Sequence, residues 1–162
     1  MNIHEDYLRS ALFGLQDGLV STTGVVMGIS AGVDNKSIII LASLVALTVE
    51  ASSMAAGQYS SEKAVHQMDK GGKHTDNVFL GAVIMFFSYL LAGLVPISPV
   101  LIFNQPDAKV FTVIFAFIGL FTIGYIKGKI VKHKPLRSAI ELFIIGAIAT
   151  SIGLIVGQLL KV

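Results

Sequence analysis

Hydrophobic positions in this chain fall into five long runs, at 12–31, 37–57, 78–97, 110–126 and 140–160, separated by short polar stretches. Each run is near the roughly 20 residues that an α-helix needs to cross about 30 Å of hydrocarbon. The pattern predicts an all-α integral membrane protein with five transmembrane helices in a single domain over residues 1–162. The connection VDNKS, with Gly32 just before it, reads as a tight turn that makes helices 1 and 2 antiparallel neighbours. In LVPISPVLIFNQPD, Pro96, Pro99 and Pro106 are expected to stop helix 3 and mark a loop. Residues 62–77 read as a short polar loop, and the lysines of GYIKGKIVKHKP can snorkel to headgroups at the end of helix 4.

Composition sharpens this picture. With 54% hydrophobic and 14% charged residues and a mean hydropathy of +0.77, the chain lies outside the soluble class. The start, MNIHEDYLRS, has acidic residues and a single Arg, so it does not read as a cleavable signal, and the first helix is expected to remain. Cysteine is absent, which removes disulfides and thiolate ligands and leaves Met as the soft donor. A net charge of +2 is too small to suggest nucleic acid. The cations divide unevenly. Arg9, Lys63, Lys70, Lys73, Lys127, Lys129, Lys132, Lys134 and Arg137 fall on one side, against Lys36, Lys109 and Lys161 on the other. The positive-inside rule then places the N-terminus in the cytoplasm and the C-terminus outside.

Two helices carry chemistry. Asp17 lies inside RSALFGLQDGLVSTTGVVMGISAG, and a charge near the bilayer centre costs about 2.5 to 3.5 kcal/mol on insertion scales, which marks it as a functional candidate. Around it, Gly14, Gly18, Ser21, Gly24, Gly28 and Gly32 recur every three or four residues and make one helix face nearly bare, the pattern that lets helices approach closely in lipid. In LTVEASSMAAGQYSSEKAV, Glu50, Met54, Gly57 and Ser61 stay within about 40° of one direction on a helix. A carboxylate and a thioether one turn apart suit a borderline divalent transition metal better than Mg²⁺ or Ca²⁺. Asp17 is a third ligand candidate, expected within about one turn of Glu50 in depth. The candidate metal site is therefore Asp17, Glu50 and Met54.

The stretches DGLVSTTGVVMGISAG (17–32), EASSMAAGQYSS (50–61) and IIGAIATSIGLIVGQLL (144–160) also resemble the vacuolar iron transporter family. Asp17, Gly18, Ser53, Met54, Ala55, Gly57 and Tyr59 match its most specific positions. The resemblance implies a five-helix homodimer that exchanges Fe²⁺, and in some members Mn²⁺, for protons along an ion path at the dimer interface. Asp17 and Met54 would lie on that path. It implies the plasma (inner) membrane in a prokaryote and the vacuolar membrane in a eukaryote. The chain departs from the family in having Gln58 where Glu is frequent, and Ala46 where another pathway Glu is frequent, with Glu50 one turn on. It is a short form, lacking the large Glu-rich insert between helices 2 and 3. In its place, Glu62, His66, Met68, Asp69, His74 and Asp76 offer a weak metal-collecting loop.

Plainer readings stand beside these. Asp17 and Glu50 can serve as structural carboxylates that lock helices together in a non-transporting scaffold. The glycine rows are a common helix interface, Met27 and Met85 read as packing, and His66 and His74 read as solvated. Glu141 and Arg137 have the spacing of an ion pair. There is no nucleophile paired with a base, no phosphate loop and no histidine cluster, so the sequence predicts no enzyme and no cofactor. The function expected is metal transport coupled to protons, with a scaffold or a passive cation channel as alternatives.

The charge asymmetry makes a topological prediction. Cysteine variants at Ser37 and Ala108 should react with an impermeant thiol reagent from outside the cell, and those at Lys70 and His133 should not. The reverse pattern would overturn the orientation.

Overall fold

A computed structural model describes residues 5–69, 77–132 and 134–161. These residues form five α-helices: α1 (Glu5–Gly32), α2 (Lys36–Met68), α3 (Val78–Ile102), α4 (Asp107–Ile130) and α5 (Pro135–Leu159). All five are long and apolar enough to cross a membrane. Lys70, Lys73, His74, Asp76 and His133 lie outside the described residues. Ala108 is buried, so the exposed Asn104 is the better labelling position in its connection.

The turn between α1 and α2 forms as the sequence implies. Asn35 caps α2, its side-chain oxygen accepting from the backbone N–H groups of Ser37 at 2.9 Å and Ile38 at 3.2 Å. Two expected boundaries move. First, α2 continues to Met68, so the predicted 62–77 loop opens as helix, and the 33 residues of α2 measure about 50 Å. Second, α3 runs through Pro96 and Pro99 to Ile102 instead of stopping at them. Pro99 has no N–H for the carbonyl of Val95, but the Ser98 hydroxyl donates to that carbonyl at 2.8 Å. Thr112 of α4 donates to the Pro96 carbonyl at 3.0 Å. A hydroxyl donor such as Ser98, which takes the carbonyl that the proline leaves free, makes proline tolerable inside a membrane helix.

Helix α1 is the hub, packing against all four others, whereas α2 touches only α1 and α3. A buried cluster including Val26, Leu47, Ala51 and Tyr89 fills the junction of α1, α2 and α3. Leu19, Ala92 and Leu120 join α1, α3 and α4. The glycine rows of α1 make this packing possible. A Cβ at Gly14 would lie 2.8 Å from the Met85 carbonyl, and one at Gly18 would strike the backbone of Tyr89, so these two admit α3. At Gly24, Gly28 and Gly32 a Cβ would lie 3.2, 2.9 and 2.9 Å from the carbonyls of Ala149, Gly153 and Gly157, so these three admit α5.

The row Gly24, Gly28 and Gly32, read from the sequence as a helix interface, meets α5. Their close contact is made within one chain, because α5 carries a matching row, Gly153 and Gly157, that meets Gly24 and Gly28 in turn. Alongside this contact an apolar groove of about 610 Å³ stays open, lined by Ser21, Gly24, Gly28, Gly153 and their neighbours. The predicted Arg137–Glu141 pair does not close. Ion pairs between described residues join Arg9 to Asp6 and to Glu62.

Gly28→Leu should therefore disrupt folding of the single chain, costing roughly 1–3 kcal/mol or more by overpacking. A fall in the melting temperature of the detergent-solubilised protein would report it. Gly57→Ala, where a Cβ meets nothing within 4 Å, should hold that temperature or raise it, since Ala favours a helix interior over Gly.

Candidate metal site

Two contacts fix the register of the antiparallel pair α1 and α2. The Ser21 hydroxyl donates to Glu50 Oε2 at 3.1 Å. Twelve residues back along α1 and twelve on along α2, Arg9 pairs with Glu62. Stepping one turn from the first contact puts Asp17 level with Met54. The two carboxylates are thus offset by about one turn, with the thioether at the level of the first.

Glu50 is held from two sides. Its Oε2 accepts from the Tyr89 hydroxyl of α3 at 2.6 Å as well as from Ser21 of α1, and those two hydroxyls also meet each other. Tyr89 is 1% exposed, so its ring fills the core while its hydroxyl reaches the carboxylate. Asp17 is half-buried and accepts no hydrogen bond among the described residues. Met54 is half-buried against the cluster that contains Leu47, Ala51 and Tyr89. Among the described residues no three of His, Cys, Asp and Glu come together, so one chain offers two carboxylates and a thioether.

The stripe expected on α2 divides. Glu50 and Met54 turn toward α1 and α3, but Gly57 and Ser61 are exposed. Four-residue steps carry the polar line instead to Gln58 and Glu62. Gln58 Nε2 donates to Ser10 Oγ of α1 at 3.0 Å and to Glu62 Oε1 at 3.3 Å. Glu62 is buried in α2 and paired with Arg9, so it is not part of a solvated collecting loop. His66 and Met68 sit in the last turn of α2 and Asp69 caps it. Sequence reasoning missed Tyr89 and the role of Ser21 as a donor. One signal was present: a tyrosine inside FFSYLLAG has a hydroxyl that needs a partner where no water reaches.

The profile of the VIT family matches residues 8–77 and 64–158. The chain belongs to the VIT family. Over 71 residues it is 42% identical to Vacuolar iron transporter 1 of Arabidopsis thaliana, a match covering 43% of this chain and 28% of that protein's length. It is 26% identical over 158 residues to Vacuolar iron transporter homolog 3 of the same plant, covering 90% of this chain and 79% of that one. VIT-like transporter 1b of Glycine max is 26% identical over 166 residues, covering 90% and 72%. The longer two alignments take in nearly all of this VIT-family chain.

Tyr89→Phe should destabilise the protein by about 1–3 kcal/mol, the usual cost of leaving a buried acceptor without its donor. Glu50→Gln in the same background should then cost less than it does alone. Additive melting shifts in that double-mutant cycle would show that the two groups do not interact.

Proposed function

We propose that this chain carries a divalent transition metal across a membrane, Fe²⁺ first and Mn²⁺ second, in exchange for protons. The observation that carries the reading is the placement of Asp17, Met54 and Glu50 on adjacent turns of the α1–α2 seam, inside an apolar bundle. A carboxyl group out of water favours its neutral form, and an arriving dication favours the ionised form, so metal binding and proton release are linked at one group. Asp17, which accepts no hydrogen bond from the described residues, is the exchange group. Glu50 is the second carboxylate, and the Met54 sulfur disfavours hard ions. The relatives named as iron transporters support Fe²⁺ as the cargo.

A homodimer completes this reading. One chain supplies a partial donor set, and the groove beside Gly24 and Gly28 includes Ser21, the donor to Glu50. A second chain seated there would line the path from its other side. The nine-to-three split of cations supports a cytoplasmic N-terminus. The names of the relatives support a vacuolar membrane if the host is a eukaryote. The scaffold reading draws on a specific observation too, since Glu50 ties α1, α2 and α3 together through Ser21 and Tyr89.

Flux measurements separate these readings. In liposomes enclosing a pH dye, the protein should carry Fe²⁺ down its gradient and move protons the other way. Asp17→Asn keeps size and hydrogen bonding but exchanges no proton, and should reduce both fluxes to background. Met54→Leu should weaken Fe²⁺ transport by about tenfold, with less effect on the harder Mn²⁺. Absence of metal flux from the wild type selects the scaffold, and metal flux without counter-moving protons selects a channel.

A further inference from the structure

The polar seam between α1 and α2 is longer than the metal site. From Glu50 it continues through Met54, Gln58 and Glu62 at four-residue steps, facing Ser21, Asp17, Ser10 and Arg9 of α1. Beyond Glu50 in the other direction no charged side chain is buried among the described residues: Leu47, Val26 and Ile39 are apolar, and Ser43 and Ser30 bring only hydroxyls. The seam therefore opens toward the end of the bundle that holds the start of α1, and the group at that end is the Arg9–Glu62 pair.

The two halves of this pair are unequal. The Glu62 side chain is 11% exposed and is held in place by Gln58 Nε2 at 3.3 Å, whereas the Arg9 side chain is 57% exposed. Arg9 has a second anionic neighbour, Asp6, at 3.4 Å one turn nearer the start of α1. Its guanidinium can thus leave Glu62 without losing a carboxylate partner.

We infer that Arg9 is a tethered cation closing the mouth of the seam, so that a divalent cation reaches Met54 and Asp17 when Arg9 leaves Glu62 for Asp6. In the paired state an arriving dication meets a positive charge. In the open state it meets the Glu62 carboxylate, with Gln58 and Ser10 behind it. Arg9 acts through Glu62 and is a positioning residue. Its consequence for transport rests on the function proposed above, but the closure itself does not.

The absence of cysteine gives a clean background for the test. In detergent, the thiol of Met54→Cys should react slowly with a small cationic methanethiosulfonate. Adding Arg9→Met together with Glu62→Met removes both charges and leaves no buried ion unpaired. The reaction should then be about fivefold faster, as a larger open fraction requires. Arg9→Glu combined with Glu62→Arg should restore the slow rate, while Gly57→Cys, on the exposed face, should react equally in all backgrounds. Equal rates for Met54→Cys with and without the pair would overturn the closure. In liposomes, Arg9→Gln should lower the Fe²⁺ concentration for half-maximal flux by about the same factor, with the maximal rate near that of the wild type. An unchanged half-saturation, with labelling accelerated, would overturn the role of the pair in metal access. A wild type that moves no metal would overturn the transport reading and leave the labelling result to decide the closure.

Discussion

Close backbone contact along α1 is the constraint on which this bundle depends. Hydrocarbon offers little driving force for apolar helices to associate, so dispersion across short distances has to supply it. The glycines of α1 bring its backbone against Met85 and Tyr89 of α3 on one stretch and against Ala149, Gly153 and Gly157 of α5 on the next. With those contacts made, α1, α3 and α5 run parallel as a tightly packed unit. Helix α4 joins α5 by the same kind of contact, with Gly124 and Gly128 against the backbone of Ala139 and Pro135, and α2 is added by larger side chains such as Leu47.

The polar groups inherit their positions from that unit. Gly18 packs on the backbone of Tyr89, which brings the tyrosine hydroxyl to the level of Ser21. The two hydroxyls then converge on one oxygen of Glu50 from the neighbouring α2. A carboxylate inside an apolar bundle is costly without donors, and here donors from two helices are already oriented toward it. Asp17, one turn away, is left with less support. The result is two carboxylates of different character on one seam, one held by hydroxyls and one open to a new partner.

Much of this was legible in the sequence. The five apolar runs gave the helices, Asn35 marked the start of α2, and the cost of intramembrane charge singled out Asp17 and Glu50. What escaped the sequence depends on contacts between distant segments. Past Pro99, α3 draws on Ser98 for the carbonyl that the proline leaves free, and Thr112 of another helix ties down the Pro96 carbonyl. Glycine spacing shows that a helix can be approached closely, but the matching row on α5 decides what approaches it. Likewise Gly57 and Ser61 share a helical direction with Glu50, but the positions of α1 and α3 rotate the buried line toward Gln58 and Glu62. The proton-exchange chemistry and the dimer rest on the proposal and not on these contacts.

The overhang of α2 has a further consequence for the architecture. At about 50 Å the helix outruns the hydrocarbon by several turns, and its last residue, Met68, is 80% exposed. The pairing of Glu62 with Arg9 anchors the stalk below that point. Among the described residues the side chains of Lys63, Ala64, Val65, Gln67 and Met68 are all exposed, so material spliced in after Met68 would displace no buried one of these, and lengthening a loop costs only about 0.6 kcal/mol per doubling. The tip of α2 is a natural splice point, where a reporter or a folded module can be grafted while the machinery within the bilayer keeps its geometry.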